Sequence, residues 1–462
     1  MPGIRPEDAK VKIPALIHLS RLGYQYTPLA GIVRDRDTNI LPEDLRQAIA
    51  QINGSETNDA AFEKLLSEIG KSLGQEDLGR DFSNGLQQGW NGTRVIDFAH
   101  PDRNLYRVMT EVPYVSGKHR FRPDITLFIN GLPLAFVELK SSESREGILP
   151  EYDRMTNRVG KPEFRRFINL TQLMVFSNDA EYDESALFPI KGAFYATSAY
   201  NDLVFHRFEE AEREMLERIE APAPETVSLI LRDNQAEALA VEPAFAASLA
   251  PDSPTHRMLT SLFHRQRLLF FLRYGISYAE AEGAHDTKRF TRQIIRYPQL
   301  FAIRFLEHQL RGGQNGGIWK IPPGHRAQGI CAMIRFMEIF FEEQGCIAQY
   351  DYIAFSPAQM QLTLKALLQQ SIPVRCRSGL TAPRSGILRE KNHSSSPTPS
   401  VCVHCAEDYS SLSTQRLSAN GLPARRILFL DGTENRYDMD EAFTARLRRE
   451  APEAFIIVFS DP

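Results

Sequence analysis

Long apolar runs are missing from this 462-residue chain. Nothing in it approaches the about 20 consecutive apolar residues of a membrane-spanning helix, nor the pattern of a secretory leader, so a cytoplasmic protein is expected. A surplus of one charge is missing too. Lys plus Arg (54) nearly balance Asp plus Glu (58), giving a net charge of −4 and requiring any nucleic-acid surface to be local. Cysteine is scarce: Cys331, Cys346, Cys376, Cys402 and Cys405 are an odd number with no framework spacing, all in the last third. That excludes a disulfide scaffold and fits reduced thiols. Cys402-Val-His-Cys405 has no second Cys-x-x-Cys pair to complete a zinc site, and its apolar texture reads as a strand. Internal repeats are absent as well.

What is present is an ordinary globular texture in three parts. Helical periodicity marks "PEDAKVKIPALIHLSRLGY", ending at Gly23, then "LPEDLRQAIAQIN" with Pro42 at its start, then "DAAFEKLLSEIGKSL". Short β-rich runs follow, "TRVIDFA", "LYRVMTEVPYV", "ITLFING", "LAFVELK" and "LTQLMVFSND", cut by Pro, Gly and Asn. These predict one α/β domain over residues 1–205. Residues 206–285 are charged and helix-rich with Pro-containing breaks, and read as a helical connector. From 286 to 462, "IWKI", "DYIAFSP", "VCVHCA", "RRILFLDGT" and "AFIIVFSD" alternate with helical stretches, as in a parallel α/β sheet. The polar, Pro/Ser-rich 389–400 reads as a mobile loop.

Chemistry concentrates in "FRPDITLFINGLPLAFVELKSS". Asn130-Gly131 predicts a hairpin, because both residues tolerate positive φ. A plain two-residue loop sets Asp124 opposite Val137 and leaves Glu138 on the other face. An odd-length loop with a bulge at Gly131 restores the parity and brings Asp124, Glu138 and Lys140 to one face. Two converging carboxylates can hold one Mg²⁺, which takes one or two protein carboxylates and leaves its other positions to water and phosphate; an ammonium beside them suits phosphodiester hydrolysis. A solvated strand end gives the same string, and spacing alone does not decide between them.

"RPDITLFINGLPLAFVELK" resembles the nuclease motif of the R subunit of type I restriction-modification enzymes, a PD-(D/E)xK nuclease. "TRVIDFAHPDRNLYRV", "FINLTQLMVFSND", "HRQRLLFFLRYGI" and "RQIIRYPQLFAI" extend the resemblance along nearly the whole chain. It implies a restriction-endonuclease-like mixed sheet with flanking helices, followed by a RecA-like parallel α/β domain. Asp124 and Glu138 would be metal ligands, Lys140 the catalytic lysine, and Glu7 a candidate further ligand. The family's Gln-x-x-x-Tyr helix is replaced here by Glu151 and Met155 in "LPEYDRMTN".

The resemblance also implies a motor lobe, whose nucleotide motifs are altered. In "IPPGHRAQG", Pro323 and His325 stand at loop glycines, Arg326 at the phosphate-binding lysine and Ala327 at the metal-binding hydroxyl. Proline lacks an N–H, histidine avoids glycine-only conformations, and Arg and Lys are not interchangeable around phosphate. In "LFLDGTEN" Asp431 survives while Gly432 replaces the water-positioning acid, and "FSDP" replaces the later Thr-Gly-Thr-Pro element, with no second lobe before Pro462. Gln299 matches an adenine-reading glutamine, equally a polar residue at a helix start. Gln299, Arg326 and Asp431 are thus remnants of a nucleotide site, and ATP hydrolysis is not expected. The expected function is a Mg²⁺-dependent DNA endonuclease subunit acting in defence, with DNA and the methyltransferase and specificity subunits as partners. The competing expectation is a non-catalytic DNA-binding or assembly subunit that docks on those partners.

Overall fold

The β-rich runs of the N-terminal half assemble into a seven-stranded mixed sheet in the computed structural model. The structure describes residues 7–462 except 184, 186–190, 199–201, 213, 218, 281–289, 315, 321–322, 355–356, 371, 373, 377–400, 406–423, 432–444, 450–453 and 461–462. The Pro/Ser-rich stretch 389–400, Gly432 and the last two residues of "FSDP" therefore lie outside the described residues. Two compact units result, Met1–Ile294 and Ile295–Pro462.

In the first unit, β1 (Gln25–Tyr26), β2 (Tyr106–Thr110), β5 (Ile125–Ile129), β6 (Leu132–Leu139), β7 (Leu173–Ser177), β8 (Ala193–Ser198) and β9 (Leu203–His206) lie in the order β1-β2-β5-β6-β7-β8-β9. The pairs β1–β2 and β6–β7 are parallel and the others antiparallel. A separate small hairpin joins β3 (Tyr114–Ser116) to β4 (His119–Phe121). Every residue of β5, β6 and β7 is buried, so both faces of the sheet centre are covered. On one face Phe136 and Phe176 pack with Met155 of α5 (Leu149–Val159), Ile168 of α6 (Arg165–Leu170), Tyr114 and Phe121.

Helices α1 (Ile13–Arg21), α2 (Pro42–Asn53) and α3 (Asp59–Leu73) form where periodicity placed them, and α4 (Arg80–Gln88) is a further helix that the sequence reading did not name. The turn Asp8–Lys12 ahead of α1 is a π-helix. Pro14, with no N–H to donate to the preceding turn, accounts for the local widening. One expectation fails: "TRVIDFA" forms no named strand. Asp97 accepts from the N–H groups of Ala99 and His100 at 3.1 and 2.9 Å, a local turn that competes with any ladder.

Residues 206–285 fall within the first unit. Its later elements are α7 (Glu214–Glu217), α8 (Pro224–Asp233), α9 (Pro243–Ser248), α10 (Pro254–Phe263), α11 (Arg265–Phe270) and the antiparallel pair β10 (Ile276–Glu280) and β11 (Phe290–Ile294). They cover α1, which is buried from Ile13 to Leu19. Tyr24 donates to the Phe263 carbonyl at 3.0 Å, and His18 Nε2 lies 2.8 Å from Thr260 Oγ1. The His18 and His256 rings stack with centroids 4.4 Å apart. From β11, Arg292 donates to the carbonyl of Ile168 at 2.9 Å and to that of Thr171.

The second unit is a parallel sheet of β12 (Gly316–Lys320), β13 (Ile347–Ala354), β14 (Val374–Cys376), β15 (Val401–Cys405), β16 (Ala424–Asp431) and β17 (Phe455–Ser460), in the order β12-β17-β16-β13-β15-β14. Helices α12 (Tyr297–Arg311), α13 (Pro323–Glu343) and α14 (Pro357–Gln369) accompany it. An α/β chain with a mixed sheet followed by a parallel one is what the sequence led us to expect. No described helix is long and apolar enough to cross a membrane.

Two predictions follow from packing. Gly131 sits at φ 78°, and a Cβ there would come within 2.5 Å of the Leu41 carbonyl oxygen. Gly131→Ala should therefore lower unfolding free energy by about 2–3 kcal/mol in urea titrations; an unchanged midpoint would refute this role. Burial first, then repulsion from His256 and Arg21, hold the His18 imidazole well below its usual range, and burial lowers that of His256. The unfolded chain binds these protons more readily, so the stability from neutral rings is complete above about pH 6.5 and lost as pH falls below it. Thermal midpoints should drop between pH 7.5 and 5.5, and less so in His256→Phe.

Candidate active site

Strand parity decides whether the acids of the central hairpin can meet. Ile129 pairs with Leu132 and Phe128 with Pro133, after which the register shifts and Leu127, Thr126 and Ile125 pair with Ala135, Phe136 and Val137. Asn130 and Gly131, at φ 53° and 78°, form a two-residue turn, and Leu134 is the extra residue of a bulge. The expected odd-length loop with its bulge at Gly131 is thus replaced by an even loop and a bulge three residues later. Pro133 offers no N–H to the ladder, which explains why the irregularity falls beside it. Continued by one step, the shifted register sets Asp124 opposite Glu138.

The turn itself is buried, and Asn130 holds it from three sides. Its Oδ1 accepts from Leu105 N–H at 2.7 Å, while its Nδ2 donates to the Val95 carbonyl and to Asn104 Oδ1 at 2.7 and 2.8 Å. At the other end, Asp124 Oδ2 accepts from Leu139 N–H at 2.8 Å, fixing the carboxylate across the strand pair. Glu138 is 5% exposed. Burial, and then the negative charge of Asp124, push its carboxyl well above the ordinary range; Lys140 and Arg158 offset this in part.

Lys140 extends the ladder, its N–H donating to the Ser177 carbonyl at 2.8 Å. Its Nζ lies 2.9 Å from Glu151 Oε1 and 3.5 Å from Glu7 Oε1. Arg154 Nε in turn donates to Glu151 Oε2 at 3.0 Å. Asp124, Glu138 and Lys140 are thereby brought together, and Glu7 joins them through the lysine. Among the described residues no group of three His, Cys, Asp or Glu side chains gathers as a metal cage. The carboxylate pair, one member buried and repelled by the other, matches the needs of a single hard cation that completes its shell with water and phosphate. Glu151 stands at the lysine, and Met155 is fully buried in the core. Sequence reasoning missed Arg158, whose guanidinium lies over the Phe121 ring at 4.1 Å and whose charge acts on the Glu138 carboxyl. Its spacing of four from Arg154 on an amphipathic helix was the available signal.

In the second unit, Arg326 Nη1 lies 2.8 Å from Asp431 Oδ1, both residues almost wholly buried. Tyr352 donates to Asp431 Oδ2 at 2.6 Å, and Thr363 Oγ1 to the Tyr352 hydroxyl at 3.1 Å. Gln299 lies in the first turn of α12, its Oε1 accepting from Arg296 N–H at 2.9 Å.

Residues 4–183 match the family described as type I restriction enzyme R protein N terminus. Two proteins of Methanocaldococcus jannaschii, the putative type I restriction enzyme MjaIXP and MjaVIIIP endonuclease subunits, are 27% and 25% identical over 38% and 35% of this chain. The putative MjaVIIP endonuclease subunit of the same organism is 32% identical over 16% of this chain. The matched stretches span 19%, 17% and 7% of those relatives' lengths. Residues 4–183 are thus similar to the N-terminal region of such R proteins, and the chain spans less than a fifth of the length of these relatives.

Because the folded state holds the Glu138 proton more tightly than the unfolded chain does, stability without a cation declines as pH rises past the ordinary carboxylate range. Glu138→Gln should therefore melt above the wild type in EDTA at pH 8 and lose that advantage near pH 4. A variant that melts lower at pH 8 would contradict the assigned electrostatics.

Proposed function

We propose that the first unit, with its similarity to R-protein N-terminal regions, is a Mg²⁺-dependent DNA endonuclease module of a restriction-modification system. Phosphodiester hydrolysis here needs no ATP-driven translocation. The observation that carries this reading is the bulged hairpin that sets Asp124 opposite Glu138 with Lys140 two residues on. Asp124 and Glu138 would hold the cation, which when bound polarises the scissile phosphate and activates water. The Leu139 N–H orients Asp124 before any ligand arrives. Lys140, steered by Glu151 and Glu7, puts positive charge beside the site where charge develops on the phosphoryl oxygens.

The second unit supports the translocation-free reading. Arg326 and Asp431 neutralise each other inside the unit, and Tyr352 takes the other Asp431 oxygen. A charge pair this buried is costly to separate, because each partner left alone would be desolvated and unpaired. Target choice would come from specificity and methyltransferase subunits, since a strand pair presenting two acids and a lysine reads no base edges.

Plasmid nicking tests the proposal. The wild type should nick supercoiled DNA with Mg²⁺ at a rate that added ATP does not change, and Asp124→Ala or Lys140→Ala should lower that rate by about a hundredfold or more. Equal nicking by all three proteins would sink the assignment, and no nicking by the wild type would favour the non-catalytic subunit instead.

A further inference from the structure

The small hairpin β3–β4 ends three residues before Asp124 and packs through Phe121 on Phe136, two residues before Glu138 on β6, and the proposed hydrolysis makes no use of it. Tyr114 pairs with Phe121, Val115 with Arg120 and Ser116 with His119, and Gly117 at φ 58° and Lys118 close the tip. One side of the hairpin is anchored. Tyr114 and Phe121 are 3% and 7% exposed, with the Phe121 ring 5.9 Å from Phe136 and 5.1 Å from Phe167, and Tyr114 5.3 Å from Phe167. Such aromatic contacts fix the arm's direction. Outside this anchor the hairpin exposes Val115 together with Lys118, His119 and Arg120, and His119 lies 3.8 Å from Glu163. Lys118 and Arg120 have no ion-pair partner among the described residues, whereas Lys10 pairs with Glu143, Arg122 with Glu111 and Arg165 with Glu76.

A short stretch of chain joins the arm to the site. Arg120 precedes Asp124 by four residues, at most about 13 Å of extended chain at ~3.3 Å per residue. At the arm's base, Arg122 pairs with Glu111 at 3.1 Å, and Glu111 also holds Lys12 at 3.1 Å. The Phe121 ring carries the Arg158 guanidinium at 4.1 Å. Arg122 and Lys12 are thus neutralised at the base, and Lys118 and Arg120 remain as the arm's unpaired cations among the described residues, on a chain whose net charge is −4. Duplex DNA presents a charge per strand every ~3.4 Å of axis, so a path of this length spans a few phosphates.

We propose that the β3–β4 hairpin is a DNA-backbone docking arm, with Lys118 and Arg120 seated on phosphates that flank the scissile one. The flanking position rests on the endonuclease reading; the docking does not require cleavage. Contacts of this kind position a duplex without reading sequence, so the effect is the same on duplexes of different base composition.

Fluorescence anisotropy of a labelled duplex with the full chain, Ca²⁺ replacing Mg²⁺, tests the arm over a salt series. Lys118→Glu/Arg120→Glu should weaken binding about tenfold or more at low salt and reduce the salt slope by about 2, roughly 0.9 per lost phosphate contact. Lys118→Ala/Arg120→Ala should reduce the slope likewise, and Lys64→Glu on α3 should leave it unchanged. Thermal unfolding of the variants should match the wild type, because both side chains are exposed. Wild-type affinity and slope in both double variants, or no duplex binding by the wild type, overturns the arm. Unchanged slopes in a wild type that nicks DNA would leave the endonuclease reading standing without it. Slope loss in a wild type that never nicks would keep the arm and remove hydrolysis.

Discussion

Side chains on a strand alternate faces with a period of two, and the N-terminal unit depends on how that parity is set at one hairpin. β6 is apolar on both faces, so hydrophobic burial alone does not choose between two registers one residue apart. Three local devices choose instead. Asn130 pins the turn from three sides, Gly131 allows it to press against Leu41, and Leu134 takes up the odd residue. The acids at the far end inherit their meeting from a turn some six residues away.

The two units treat buried charge in opposite ways. In the first, Glu138 is buried against a like charge, and the nearby cations of Lys140 and Arg158 only partly compensate. In the second, Arg326 and Asp431 are buried against each other, with a tyrosine hydroxyl and a threonine completing the network. A partly compensated carboxylate pair retains an electrostatic demand that an external cation can meet. A compensated pair has met its demand internally, and any ligand must compete with the partner already in place. Strongly perturbed carboxyls concentrate at functional sites, and that tendency supports the endonuclease reading proposed for the first unit.

Much of this was legible in the chain. Helical periodicity located α1, α2 and α3, and Asn-Gly between apolar runs located the central hairpin, because each signal is local. The meeting of Asp124 with Glu138 was legible as a requirement, but its device was not: a proline two residues past the turn displaced the bulge in a way spacing does not encode. "TRVIDFA" misled because β-branched residues suggested a strand while Asp97 was free to cap its own backbone. Residues joined only in three dimensions, such as Glu151 at Lys140 or Arg158 over Phe121, depend on how α5 lies against the sheet, and no run of sequence states that.

The cover over α1 bears on modularity. His18, Tyr24 and the carbonyls gripped by Arg292 are satisfied by groups that arrive more than a hundred residues later, past the last strand of the mixed sheet. A cassette excised at the end of β9 would carry every acid and the lysine, yet leave α1 with a bare greasy flank. The smallest portable version of this centre therefore extends to Ile294, and recombination between relatives would preserve it only by cutting beyond that residue.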